Sequence, residues 1–170
     1  MRYFLVLSIG IALGIVATIA PVGAQVGPPE AVLTLGRCAP GSIPAGVARF
    51  KNVGNNDFNE GARNFIAISL CAFNPDIAIE LTAGPCRTRV MNQVRFQNVA
   101  NNDFNEGAPN FIVLSLCIRG PVRRFYALTR GACRAGLHPI GVVRFKNVGN
   151  NDFNEGAPNF ITIRLCVEDR

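Results

Sequence analysis

The octapeptide Asn55-Asn56-Asp57-Phe58-Asn59-Glu60-Gly61-Ala62 occurs three times without change, at 55–62, 101–108 and 150–157. It sits inside a longer unit that all three copies share. Leu-Thr-x-Gly-x-Cys comes first, then a variable stretch, then Arg-Phe-(Lys/Gln)-Asn-Val-(Gly/Ala), the octapeptide, Asn-Phe-Ile, three residues and Leu-Cys. The arginine and the closing cysteine are 22 residues apart in every copy, Arg49 to Cys71, Arg95 to Cys117 and Arg144 to Cys166. Only the stretch between the first cysteine and the arginine changes length, which marks 39–48, 87–94 and 134–143 as adjustable loops.

One such unit standing alone would bury too little apolar surface to be stable, whereas three sharing a core would not have that problem. Residues 25–170 are therefore expected to form one domain of three repeats, about 31–76, 77–121 and 122–170. No segment of that stretch shows helical periodicity, so the fold class is all-β. From Val47 to Val53 the chain alternates, with Ala48, Phe50 and Asn52 on one face and Arg49 and Lys51 on the other. The partner strands present Ile66, Ile68 and Leu70, then Ile112, Leu114 and Leu116, then Ile161, Ile163 and Leu165, as a buried face. A shorter strand leads each repeat: Ala31 to Leu35, Ile77 to Thr82, Phe125 to Thr129. Three copies of this pattern predict a closed pseudo-threefold body, β-trefoil-like, with a threefold β-prism or a short β-solenoid as the alternatives. Closure would remove the exposed strand edges that an open stack must protect.

The cysteines suit an oxidising compartment, being an even set with two per repeat and none before residue 38. Repeat symmetry favours Cys38–Cys71, Cys86–Cys117 and Cys133–Cys166, each closing a loop of about 33 residues and contributing about 3 to 4 kcal/mol on a chain-entropy model. A second symmetric scheme would join Cys71 to Cys86, Cys117 to Cys133 and Cys38 to Cys166. Residues 1–24 read as a secretory signal peptide cut before Gln25, with Arg2, an apolar run from Tyr3 to Ile19, Pro21 and the small-residue site Val22-Gly23-Ala24. An uncleaved N-terminal anchor is the other use of that run. The expected location is secreted, extracellular or periplasmic, with no membrane span after signal cleavage.

Net charge is +6, and among the 17 basic residues only Lys51 and Lys146 are lysines. Six of the 11 acidic residues fall in the repeated loops, so acidic loops stand on an arginine-rich body. Such a body suits anionic polysaccharide, a membrane surface or simple solubility. Nothing resembles a nucleic-acid module.

The loops offer three readings. As architecture, Asn and Asp side chains bond nearby backbone, Gly61 takes a positive φ and Phe58 plugs the core. Asn52, sharing a face with Phe50, would be a buried bracket for loop backbone. As a ligand site, Asn55, Asp57, Asn59 and Glu60 would bond sugar hydroxyls beside the aromatic face of Phe58. The same set recurs as Asn101, Asp103, Phe104, Asn105 and Glu106, and as Asn150, Asp152, Phe153, Asn154 and Glu155, making a trivalent binder of extracellular glycan or cell-surface polymer. As a calcium loop the pattern fits poorly, because the glycine falls one place late for an EF-hand and Ile66 stands where a bidentate Glu is needed. No cofactor is expected, and no metal site.

Catalysis has little support. Asp57 and Glu60 could pair as acid and base, but three identical copies speak for multivalency and not for one asymmetric active site. The lone histidine, His138, has no counterpart in the other repeats and reads as a surface residue. A secreted, non-enzymatic, lectin-like binding protein is the leading expectation. The alternatives are a self-associating structural protein, and an inhibitor or effector that meets a protein partner through the variable segments. No Asn-x-Ser/Thr sequon is present among the asparagines, so N-glycosylation is not expected.

Overall fold

The computed structural model describes residues 29–52, 63–98, 108–147 and 158–169. Residues 1–24 and the three octapeptide loops, apart from Ala108, lie outside them. Each repeat contributes three strands. The first repeat has β1 (Ala31–Leu35), β2 (Ile43–Lys51) and β3 (Phe65–Ala72); the second has β4 (Ile79–Ala83), β5 (Arg89–Gln97) and β6 (Phe111–Ile118); the third has β7 (Tyr126–Thr129), β8 (Leu137–Lys146) and β9 (Phe160–Glu168). They pair antiparallel as three separate sheets, ordered β1-β3-β2, β4-β6-β5 and β7-β9-β8. The last strand of each repeat lies in the middle, and it carries the Ile/Leu run. A strand flanked on both sides can bury the most apolar surface, so the richest apolar sequence takes the centre.

The inner faces of the three sheets meet in one core that stacks in layers of three. Phe50, Phe96 and Phe145 form one layer, their ring centroids 5.8, 5.9 and 5.9 Å apart with interplanar angles of 65°, 59° and 61°. Two edge-to-face pairs and one tilted pair let all three rings meet without stacking face to face. Ile68, Leu114 and Ile163 follow, then Leu70, Leu116 and Leu165 beside Leu33, Leu81 and Leu128. At the far end lie Ala31, Ile79 and Tyr126. Asn52, Asn98 and Asn147 cap the phenylalanine end and are fully buried.

The strand pairing forms no continuous barrel: among the described residues no strand pairs across repeats and no sheet closes. Sheet edges are covered by packing instead. β2 lies against β4, β5 against β7, and β8 returns to β1, a ring of contacts compatible with threefold pseudo-symmetry. The second strand of each sheet carries a one-residue bulge, between Pro44 and Val47, Val90 and Asn92, and Pro139 and Gly141. At the bulges two repeats use glycine to let the neighbouring backbone approach. A Cβ on Gly46 would lie 2.4 Å from the Leu81 carbonyl oxygen, and one on Gly141 would lie 2.5 Å from the Leu33 nitrogen. The second repeat solves the same position differently, with Asn92 Oδ1 accepting the Leu128 N–H at 2.7 Å.

The expectation for 39–48, 87–94 and 134–143 changes here. The second strand begins well before Val47 and its equivalents, so much of each segment taken as an adjustable loop is strand; the length difference falls in the turn after the first cysteine. Ser69 and Ser115 lie opposite the Ile/Leu face yet are buried, because their hydroxyls donate to the Gly36 and Gly84 carbonyls and hold the turn. In the third repeat Arg164 does this work, its Nη1 donating to the Gly131 carbonyl at 2.8 Å.

The disulfides are Cys38–Cys71, Cys86–Cys117 and Cys133–Cys166, with Cα separations of 5.5, 5.5 and 5.8 Å. This is the pairing that repeat symmetry favours. Each ties the turn after the first strand to the end of the central strand.

The inter-repeat edges give a graded mutational test. Gly46→Ala and Gly141→Ala push a Cβ into neighbouring backbone and are expected to lose about 3 kcal/mol or more in denaturant unfolding, at the top of the range for overpacking. Asn92→Ala leaves the Leu128 N–H without its acceptor and is expected to lose about 1 to 3 kcal/mol. Equal, near-zero effects at all three positions would show that the edges do not pack this way.

Candidate functional site

The residues predicted to bind ligand, Asn55, Asp57, Phe58, Asn59 and Glu60 with Asn101, Asp103, Phe104, Asn105, Glu106, Asn150, Asp152, Phe153, Asn154 and Glu155, all lie outside the described residues. What the structure places is the base from which each loop departs. β2 delivers Asn52, and the chain returns through Arg63 and Asn64 into β3. The Asn52 N–H donates to the Asn64 carbonyl at 2.7 Å, Asn98 to Asn110 at 2.8 Å and Asn147 to Asn159 at 2.8 Å. These bonds close the base of each loop with the same geometry.

The side chains of the three asparagines do more. Each Nδ2 donates one hydrogen to the returning leg of its own loop: Asn52 to the Arg63 carbonyl at 3.0 Å, Asn98 to Pro109 at 2.9 Å, Asn147 to Pro158 at 2.9 Å. The other hydrogen crosses to a neighbouring repeat. Asn52 donates to the Lys146 carbonyl at 2.9 Å, Asn98 to Lys51 at 2.9 Å and Asn147 to Gln97 at 3.1 Å. The pattern is cyclic, so every loop base is tied to its own repeat and to the next. The carboxamide orientation is fixed by chemistry, because an oxygen facing two carbonyls would be repelled by both. That leaves Oδ1 of all three residues buried and without a hydrogen-bond partner among the described residues. The bracket role expected for Asn52 from its position beside Phe50 is the role its Nδ2 plays.

Outside each sheet, an arginine lies over a phenylalanine. Arg49 stands 5.1 Å from the Phe65 ring centroid, Arg95 3.9 Å from Phe111 and Arg144 4.3 Å from Phe160. The register explains the contact: Lys51 lies opposite Phe65 and Arg49 opposite Ala67, so the long guanidinium reaches its diagonal neighbour. The phenylalanines remain 52%, 46% and 49% exposed. These three rings, next to the loop bases, were not singled out from sequence. The signal was present, since burying Ile66, Ile68 and Leu70 forces Phe65 to the outer face that Arg49 shares.

The opposite end of the body breaks the symmetry. There Tyr126 extends where the other repeats have Ala31 and Ile79, and its hydroxyl donates to a Glu30 carboxylate oxygen at 2.8 Å. A cavity of about 530 Å3 opens beside it, walled by Asp76, Arg119, Arg123 and Arg124 among others. Arg119 pairs with Glu80 at 3.5 Å, an exposed contact of little energetic weight. The linkers between repeats build this cavity, and their variability hid it from sequence reading. His138 is the second residue of β8, outside the three octapeptides, with Nδ1 2.6 Å from Asp169 Oδ1. Among the described residues no three His, Cys, Asp or Glu side chains gather to hold a metal ion.

Fold and loop bases together define an all-β protein of three disulfide-closed, three-stranded sheets that hold three loops of identical sequence on equivalent anchors. The chain matches no protein-family model, no curated protein and no solved structure.

The anchors predict a sharp mutational response. Asn98→Ala removes two hydrogen bonds donated by a fully buried side chain to the Lys51 and Pro109 carbonyls and is expected to lose about 2 to 4 kcal/mol in urea unfolding, with Asn52→Ala and Asn147→Ala losing similar amounts. Arg95→Ala removes only an exposed cation–π contact and is expected to lose about 0.5 to 1 kcal/mol. If the alanine variants at the asparagines behave like Arg95→Ala, the cyclic brackets contribute little.

Proposed function

We propose that this chain is a secreted, non-enzymatic binding module with a threefold prism-like body, presenting three equivalent Asn/Asp/Phe loops to extracellular glycan or cell-surface polymer. One observation carries the reading: three loops of identical sequence rise from anchors that agree within 0.1 Å in their own-loop Asn Nδ2 to carbonyl distances. A rigid threefold base fixes the spacing of three weak sites, and sites of fixed spacing bind a polymer with repeated epitopes through avidity. Asn and Asp supply the acceptors and donors that sugar hydroxyls require, and Phe supplies an apolar face for the ring. The half-exposed Phe65, Phe111 and Phe160 under their arginines extend each site with a cationic aromatic surface suited to acidic sugars. Three disulfides fit an oxidising compartment outside the cytoplasm.

The competing reading is architectural: the loops close the phenylalanine end of the core and bind nothing. The brackets favour it to the extent that they pin the loop bases into the body.

A glycan array with and without calcium separates the two. The binding module is expected to show saturable glycan binding in both conditions, and to lose it in a Phe58→Ala, Phe104→Ala, Phe153→Ala variant that keeps its unfolding transition. Binding abolished by chelator would bring calcium into the site. No binding on the array, together with unfolding of the triple variant, would leave the architectural reading standing.

A further inference from the structure

The buried Oδ1 atoms of Asn52, Asn98 and Asn147 are a set and not three separate accidents. Each belongs to a fully buried residue, each is the end of a carboxamide whose two hydrogens are already committed and whose oxygen has no hydrogen-bond partner among the described residues, and the three are equivalent under the repeat symmetry. They cap the same end of the core, one layer beyond the phenylalanine triangle. A buried acceptor without a partner is costly, and the repeat unit repeats that cost three times at one level of the core.

We propose that the three carboxamide oxygens form a binding site for one monovalent metal cation, sodium or potassium, on the pseudo-threefold axis. Their chemistry selects the occupant. Three neutral amide oxygens are hard donors of the kind that replace the hydration shell of an alkali cation. Calcium and magnesium sites generally draw on carboxylates, and the three donors here are neutral carboxamides. A water molecule has two hydrogens for three acceptors and leaves one unsatisfied at any instant. A single positive charge meets the negative end of all three dipoles together. The ion would bridge the three repeats at the level where their Nδ2 groups already cross from one to the next, adding a central tie to a peripheral one.

The site is independent of what the loops bind, and its test uses the oxidised, unmutated chain. Thermal unfolding is followed in choline, sodium and potassium chlorides, and in choline chloride with added calcium, at equal ionic strength. The midpoint is expected to rise in sodium or potassium over choline, saturably, by about 5 °C or more at a hundredfold excess over Kd. Crystals soaked in thallium(I), a potassium mimic, are expected to show one anomalous peak per chain in contact with all three Oδ1 atoms. Midpoints that coincide in the three salts, with no anomalous peak at the ring, would overturn the proposal in favour of water. A midpoint raised by calcium and not by sodium or potassium would overturn it as well. Asn98→Leu adds a check on location: where that variant folds, it is expected to lose the salt dependence, and full retention would place any cation elsewhere.

Discussion

Everything in this fold depends on three phenylalanines meeting on one axis. A single three-stranded sheet has one apolar face and nothing to cover it, and a repeat of this size cannot fold its face onto itself. Phe50, Phe96 and Phe145 resolve the problem by giving each sheet a large ring that only two other rings of the same kind can complete. Each pair contributes about 0.5 to 1.5 kcal/mol beyond the area buried. The smaller Ile and Leu layers behind them then pack without further specification, since two of the three faces around every side chain are already set.

Among the described residues no strand pairing joins the sheets, which shifts the work of holding the body together onto devices that a continuous ladder would make unnecessary. Among the described residues the sheets meet at edges that share side-chain packing, close backbone approach at Gly46 and Gly141, and the Asn92 substitute for it. The cyclic asparagine bonds tie one end of the body, and the disulfides tie the first strand's turn to the central strand within each repeat. Edge strands left this way would invite pairing with another chain, and close packing against the neighbouring sheet is what blunts them.

The parts that were legible in the sequence are those set by strict alternation or by repeat symmetry. The Ile/Leu runs and the Ala48-Phe50-Asn52 face announce themselves with period two, and the cysteine pairing follows once three equivalent bridges are required. Sheet closure was misjudged for a physical reason: alternation says which face is buried but is silent on whether an edge finds its neighbour through hydrogen bonds or through packing. The bulges were hidden because a one-residue insertion in a strand looks, letter by letter, like a longer loop. The cavity at the tyrosine end was hidden because it is built from the linkers, where the three copies differ most.

The two ends of the body now differ in what constrains them. At the tyrosine end the equivalent positions are Ala31, Ile79 and Tyr126, three sizes of side chain in one layer, and the packing there tolerates the difference by opening a cavity on one side. At the asparagine end the anchors are uniform, but they read only backbone: the carbonyl that accepts from Nδ2 belongs to Arg63 in one repeat and to proline in the other two. A bracket that ignores the side chain of the residue it holds cannot enforce eight identical residues in the loop beyond it. The linkers and first strands differ between the copies while the octapeptides do not. The loop bases, which read only backbone, therefore do not account for the identity of the octapeptides.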